Sequence, residues 1–129
     1  MNYTAALKGN VIVAELKPGW TLEDQSLGLL AIAALAETVN GPCALISIVH
    51  DMPAGFGNAV KWSLPRIPAN IKHVEFVSKN RLTRVILGGI VQSKRMPFSC
   101  EISTSTIDSA QRLIRLGYHY RPDPMRIHV

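Results

Sequence analysis

Cysteine is scarce in this chain: Cys43 and Cys100 are its only two in 129 residues. Both lie in apolar, strand-like runs, which fits buried free thiols better than a disulfide. There is no CxxC and no paired Cys/His spacing, and His50, His73, His119 and His128 fall at spacings that match no metal site. No metal and no other cofactor is expected. Charge is also sparse, at 18% against 47% hydrophobic residues, which excludes a disordered chain. No apolar stretch is long enough for a transmembrane segment; the longest apolar helix candidate runs from Leu27 to Ala36. The amino terminus, Met1-Asn-Tyr-Thr, lacks the basic and apolar regions of a signal peptide, so a cytoplasmic, reduced protein is expected. The net charge of +5 admits an anionic partner. The basic residues are not interleaved with aromatics, however, and give no strong nucleic-acid signal.

What is present reads as alternating strands and helices. Tyr3 to Leu7 and Val11 to Leu16 are strand-like runs separated by Lys8-Gly9-Asn10, a hairpin signal. Thr21-Leu-Glu-Asp24 is a helix start, with a capping Thr and two acids in the first turn. That helix is expected to run to about Val39, ended by Asn40-Gly41-Pro42. Leu27, Leu30, Ala31, Ala34 and Leu35 form its expected core face. Leu29, Ile32, Ala33 and Ala36 make the other side apolar too, so a second covering surface is required, another helix or a second subunit. Ala44 to Val49 is almost continuously apolar and β-branched, as in a central strand covered on both faces. Asn58 to Leu64 is a short helix, and Ile71 to Val77 a strand. A helix follows from about Arg81 to Ser93, expected to bury Leu82, Val85, Ile86 and Ile90. Phe98 to Ser103 is a last strand. A final helix spans Ile107 to Leu116, with Ile107, Ala110, Leu113 and Ile114 as its apolar stripe and Gly117 at its C-cap.

The order is β-β-α-β-α-β-α-β-α. It implies one α/β domain over 1–117, with a mixed four- to five-stranded sheet and helices on both faces, then an irregular tail over 118–129.

The chemistry-bearing candidates cluster where the central strand ends, in Asp51-Met-Pro-Ala-Gly55-Phe56-Gly57-Asn-Ala-Val-Lys-Trp62. Open α/β sheets place ligands beyond the carboxyl ends of their strands. Gly55-Phe-Gly57-Asn-Ala-Val60 approaches a dinucleotide fingerprint but has Val where the third Gly belongs, which favours an ordinary loop. His50 and Asp51 are neighbours on a strand and point to opposite faces, so they form no acid–base pair. Nucleophilic catalysis needs Cys43, Cys100 or a Ser beside a base, and the sequence indicates no such set. No catalytic residue and no enzyme activity is expected. Asp51, Gly55, Phe56, Gly57 and Trp62 are the expected ligand- or partner-binding residues: an acid, a Gly-hinged loop and two large aromatics. Lys79, Arg81, Arg84, Lys94, Arg95, Arg112, Arg115, Arg121 and Arg126 read as solvated helix faces and a basic carboxyl end.

The pattern resembles the STAS fold and, within it, the SpoIIAA-like group that borders the CRAL-TRIO lipid-binding fold. The residues that carry the likeness are Lys8 to Thr21, the apolar strand ending at Asp51, the strand–helix unit from His73 to Lys94, and Cys100 to Ala110 feeding a terminal helix. Relatives that antagonise anti-sigma factors carry a phosphorylatable Ser in the turn after the third strand. Here Asp51 to Gly57 contains no Ser or Thr. The resemblance therefore implies a protein-interaction or regulatory module, a homodimer or the partner of another protein, with no kinase-controlled switch. The alternative it implies is a carrier of a small apolar or lipid-like ligand bound near 51–62.

Overall fold

The computed structural model describes residues 2–50, 55–93 and 95–122. Strand β1 (Tyr3–Lys8) pairs antiparallel with β2 (Val11–Leu16), closing on Gly9 and Asn10. Gly9 has φ +72°, at the first turn position, where a two-residue hairpin needs glycine. Helix α1 (Leu22–Glu37) leads to β3 (Cys43–Val49), and α2 (Phe56–Ser63) with a 3₁₀ turn (Leu64–Arg66) leads to β4 (Ile71–Val77). Helix α3 (Arg81–Ser93) leads to β5 (Ser99–Ser103), and α4 (Thr106–Arg115) is the last helix among the described residues.

The five strands form one mixed sheet in the order β1-β2-β3-β4-β5, with β2 to β5 parallel. Each parallel crossover steps one strand in the same direction. Right-handed connections therefore carry α1, α2 and α3 to the same face. The larger core lies there, where Ile32 and Ala36 of α1, Phe56 and Val60 of α2, and Leu87 and Ile90 of α3 meet Ile12, Leu45, Val74 and Phe76 of the sheet. Helix α4 alone crosses to the opposite face, where Leu113 packs with Val11, Ala44, Ile46 and Val77. Beyond α4, Tyr118 and Tyr120 lie against this smaller core, and the chain bonds back to the hairpin turn through Asn10 N–H to the His119 carbonyl and His119 N–H to Asn10 Oδ1. The part of the expected tail that is described thus packs on its own domain.

Helix rotation departs from the sequence expectation in three places. In α1 the buried positions are Gln25, Gly28, Ile32 and Ala36, while Leu30 is 68% exposed. The helix is apolar nearly all round, so periodicity cannot choose a face. Packing does, through Gly28, which takes Tyr3 of β1 against its backbone. In α3, Thr83, Leu87 and Ile90 point inward and Leu82 and Val85 outward. Gly88 also lies against β5, where an added Cβ would come 3.7 Å from Ile102 Cδ1. In α4 the buried set is Ser109, Ala110 and Leu113, leaving Ile107 and Ile114 exposed. The cause there is a polar strip on the sheet, which draws Ser109 inward.

Candidate functional site

Among the described residues, two places each gather several chemistry-bearing side chains, one on each face of the sheet. The first is an open groove of about 490 Å³ between the start of α1 and α2. Leu22, Gln25 and Ser26 form one wall, and Asn58, Ala59 and Trp62 the other, with Gly55 at one end. Gln25 donates from Nε2 to the Ala59 carbonyl at 2.9 Å, locking the two helices together. That bond explains why a buried glutamine stands in an otherwise apolar helix. Trp62 is 42% exposed. The Arg66 guanidinium lies 4.1 Å from the centre of its ring and donates to the Trp62 carbonyl at 2.6 Å, which holds the indole in place.

The expected binding residues divide. Gly55 and Trp62 meet in this groove. Phe56 turns inward and packs edge-to-face on Trp20, ring centres 6.1 Å apart, as a core residue. Gly57 is half-buried and outside the groove's lining. Asp51 lies outside the described residues. Gly55 starts α2 with φ +81°, a conformation that side chains rarely adopt. His50, at the end of β3, pairs through Nε2 with Glu15 Oε2 at 2.5 Å, and both are partly exposed.

A separate apolar cavity lies between α1 and the sheet, bordered by Tyr3, Leu16, Ile32, Leu45 and Phe76, and it holds about 70 Å³.

The second place is a polar network beneath α4, which the sequence reading did not assemble. In β4, His73 and Glu75 share the face of Val77, opposite Val74 and Phe76. Glu75 is 0% exposed. Its Oε1 accepts the Ser109 hydroxyl at 3.0 Å, with Arg112 Nη1 at 3.7 Å. Its Oε2 lies 2.5 Å from His73 Nε2. The other ring nitrogen, His73 Nδ1, lies 2.5 Å from Ser99 Oγ on β5. Ser103 Oγ is 2.6 Å from Ser109 Oγ, and Arg112 also reaches Glu101 at 3.1 Å. The signal available in the sequence was the alternation His73-Val-Glu75 within an apolar strand: two polar groups on one strand face require partners from elsewhere in the fold.

Cys100 lies on the other face of β5, against the larger apolar core. Burial, with the negative charges of Glu75 and Glu101 beside it, pushes its thiol up to about 12. Burial also raises the Cys43 thiol. Both are free cysteines, and neither is an available nucleophile near neutral pH. Among the described residues no group of three or more His, Cys, Asp or Glu side chains is placed to hold a metal ion. No helix among them is long and apolar enough to cross a membrane.

In comparisons with known proteins, no family model, no curated protein and no solved structure matches the chain.

Proposed function

We propose that the protein is an interaction module of the STAS/SpoIIAA-like type and that it pairs with a second copy of itself through the groove between α1 and α2. The observation that carries this reading is the exposed apolar surface there: Leu22 and Trp62 stand on opposite walls, outside the core. A helix apolar on every side needs a second cover, and α1 uses the sheet for only one. Trp is a favoured interface anchor, and the stack on Arg66 holds this one in place before any partner arrives. Glu23 follows Leu22 and Lys61 precedes Trp62, both exposed, so the patch carries both charge signs. A two-fold pair is self-complementary and can match each charge with its opposite.

The carrier reading places a ligand near 51–62, where the groove of about 490 Å³ falls within the roughly 300–1,000 Å³ of small-molecule pockets. That groove is open and its walls carry the exposed Leu22 and Trp62, which favours the interaction reading, and the cavity between α1 and the sheet holds only about 70 Å³.

Tryptophan fluorescence tests the proposal. Trp20 is already buried, so only Trp62 changes surroundings on pairing. Raising the protein concentration is expected to shift emission to the blue in the native chain and not in Trp62→Phe. A spectrum independent of concentration contradicts self-pairing through this groove.

A further inference from the structure

We propose that Ser99, His73 and Glu75 form a proton relay that makes Ser99 a nucleophile toward small activated acyl groups, esters or thioesters, arriving at the open edge of the sheet. This site is independent of the groove: it lies on the α4 face and shares no residue with it.

The order of groups is nucleophile, imidazole, carboxylate. Ser99 is exposed at the start of β5, which ends the sheet, while His73 is almost wholly buried and Glu75 fully so. We take the neutral histidine with its proton on Nε2, the tautomer that the Glu75 carboxylate can accept from. The Glu75 carboxylate only accepts, taking the Ser109 hydroxyl on Oε1 and the His73 Nε2–H on Oε2. The neutral ring then presents Nδ1 as an acceptor, and the Ser99 hydroxyl is 2.5 Å from it. The competing acceptor for that proton, the Lys72 carbonyl, is farther away at 3.3 Å. A base held by a third group beside a hydroxyl is the arrangement that activates a serine. Ser109 and Arg112 are positioning residues, since both hold the Glu75 carboxylate and neither reaches Ser99. The adjacent thiol, Cys100, faces the opposite side of the sheet, which leaves the hydroxyl as the nucleophile on this face.

The step balances without another reagent. Ser99 Oγ bonds to the acyl carbon as its proton passes to His73 Nδ1. The bond from the acyl carbon to the leaving oxygen or sulfur breaks, and the proton on Nδ1 goes to that atom. Water then attacks the acyl-serine and gives a proton to Nδ1. That proton returns to Ser99 Oγ as the carboxylic acid departs. Backbone N–H groups on the outer side of an edge strand are the donors available to the developing oxyanion.

The test uses an alkyl fluorophosphonate on the full chain, read by intact mass and peptide mapping. The expected result is an adduct on Ser99, formed about 100-fold faster than in the urea-unfolded chain, and no adduct at that peptide in Ser99→Ala. Ser99→Ala removes the partner of the buried His73 Nδ1, so that variant is expected to melt somewhat lower yet to fold, and labelling is compared below its melting transition. Ser99→Cys gives a second reading that does not depend on oxyanion stabilisation. Beside the imidazole the introduced thiol is expected to react with iodoacetamide at pH 6.5 about tenfold faster than in the unfolded chain. Fluorophosphonate labelling no faster than in the unfolded chain, or unaccelerated alkylation of the Ser99→Cys variant at that position, overturns the proposal.

Discussion

Thr21 shows how much one side chain settles at the residue scale. Its hydroxyl accepts the Asp24 N–H at 3.2 Å, while Asp24 Oδ2 accepts the Thr21 N–H at 2.9 Å, a reciprocal cap. Thr21→Ala is expected to lower stability by about 1 kcal/mol in urea unfolding, with the fold retained. The Asp24 carboxyl is held below its ordinary value of 3.8, chiefly by the Thr21 backbone N–H. A depressed carboxyl stabilises the fold above its unfolded pKa and loses that contribution as pH falls through the folded one. Asp24→Asn should therefore cost stability at pH 6 and little below pH 3, read by melting across that range. The cysteines give the converse case. Cys100, raised from 9.0 to about 12, should resist alkylation at pH 8 in the folded protein and react on unfolding. Its linkage has the opposite sign: the folded state keeps a proton that the unfolded state sheds. Its contribution is present below pH 9 and is lost as pH rises toward 12. A rapid, stoichiometric reaction of Cys100 in the native protein would contradict this account of its surroundings.

Elements were legible where local chemistry marks their ends. The Gly9 hairpin and the Thr21 cap are local events, and the structure has an element boundary at each, while α1 ends at Glu37, short of the expected Asn40-Gly41-Pro42 stop. Helix faces were legible only in part: Ile90, Ala110 and Leu113 are buried as their spacing suggests, but rotation is decided by what lies across the contact. Leu30 looked like core by spacing and is exposed. Gly28 and Gln25 looked unremarkable and are buried, one against Tyr3 and the other bonded to Ala59. The same holds for α4, where Ser109 enters the interior because Glu75 is there to receive its hydroxyl. Of the expected binding residues, Gly55 and Trp62 could be read from the sequence as loop and surface aromatic. Phe56 could not be assigned to the core without knowing that Trp20 faces it. Two substitutions test these contacts. Glu75→Ala leaves His73 and Arg112 without their buried partner and should cost roughly 3–5 kcal/mol in chemical denaturation. Gly9→Ala combines a positive φ with a Cβ that would sit 1.8 Å from the His119 carbonyl oxygen. It should destabilise by more than about 1 kcal/mol. A native-like midpoint for Gly9→Ala would mean that the segment after α4 does not hold the hairpin in solution.

For the whole molecule, the crossover direction explains the division of labour. Three helices crowd one face of the sheet, and their outward sides carry the exposed apolar residues Leu22, Leu30, Trp62, Leu82 and Val85. One helix serves the other face, and a polar network makes up for the smaller apolar core there. The domain thus offers two unlike surfaces: an apolar groove between α1 and α2 and a sheet edge that displays the Ser99 hydroxyl. None of this reaches the sequence as a motif, because Ser99 and His73 stand 26 residues apart and Leu22 and Trp62 meet only through the packing of α1 on α2. Self-pairing through that groove is tested by sedimentation velocity over a concentration series up to about 100 µM, since pairs weaker than this carry little binding energy. The native chain is expected to move from monomer to dimer over that range, and Trp62→Glu to remain a monomer with an unchanged melting temperature. A native chain that stays monomeric throughout, or a Trp62→Glu variant that dimerises equally well, contradicts the account.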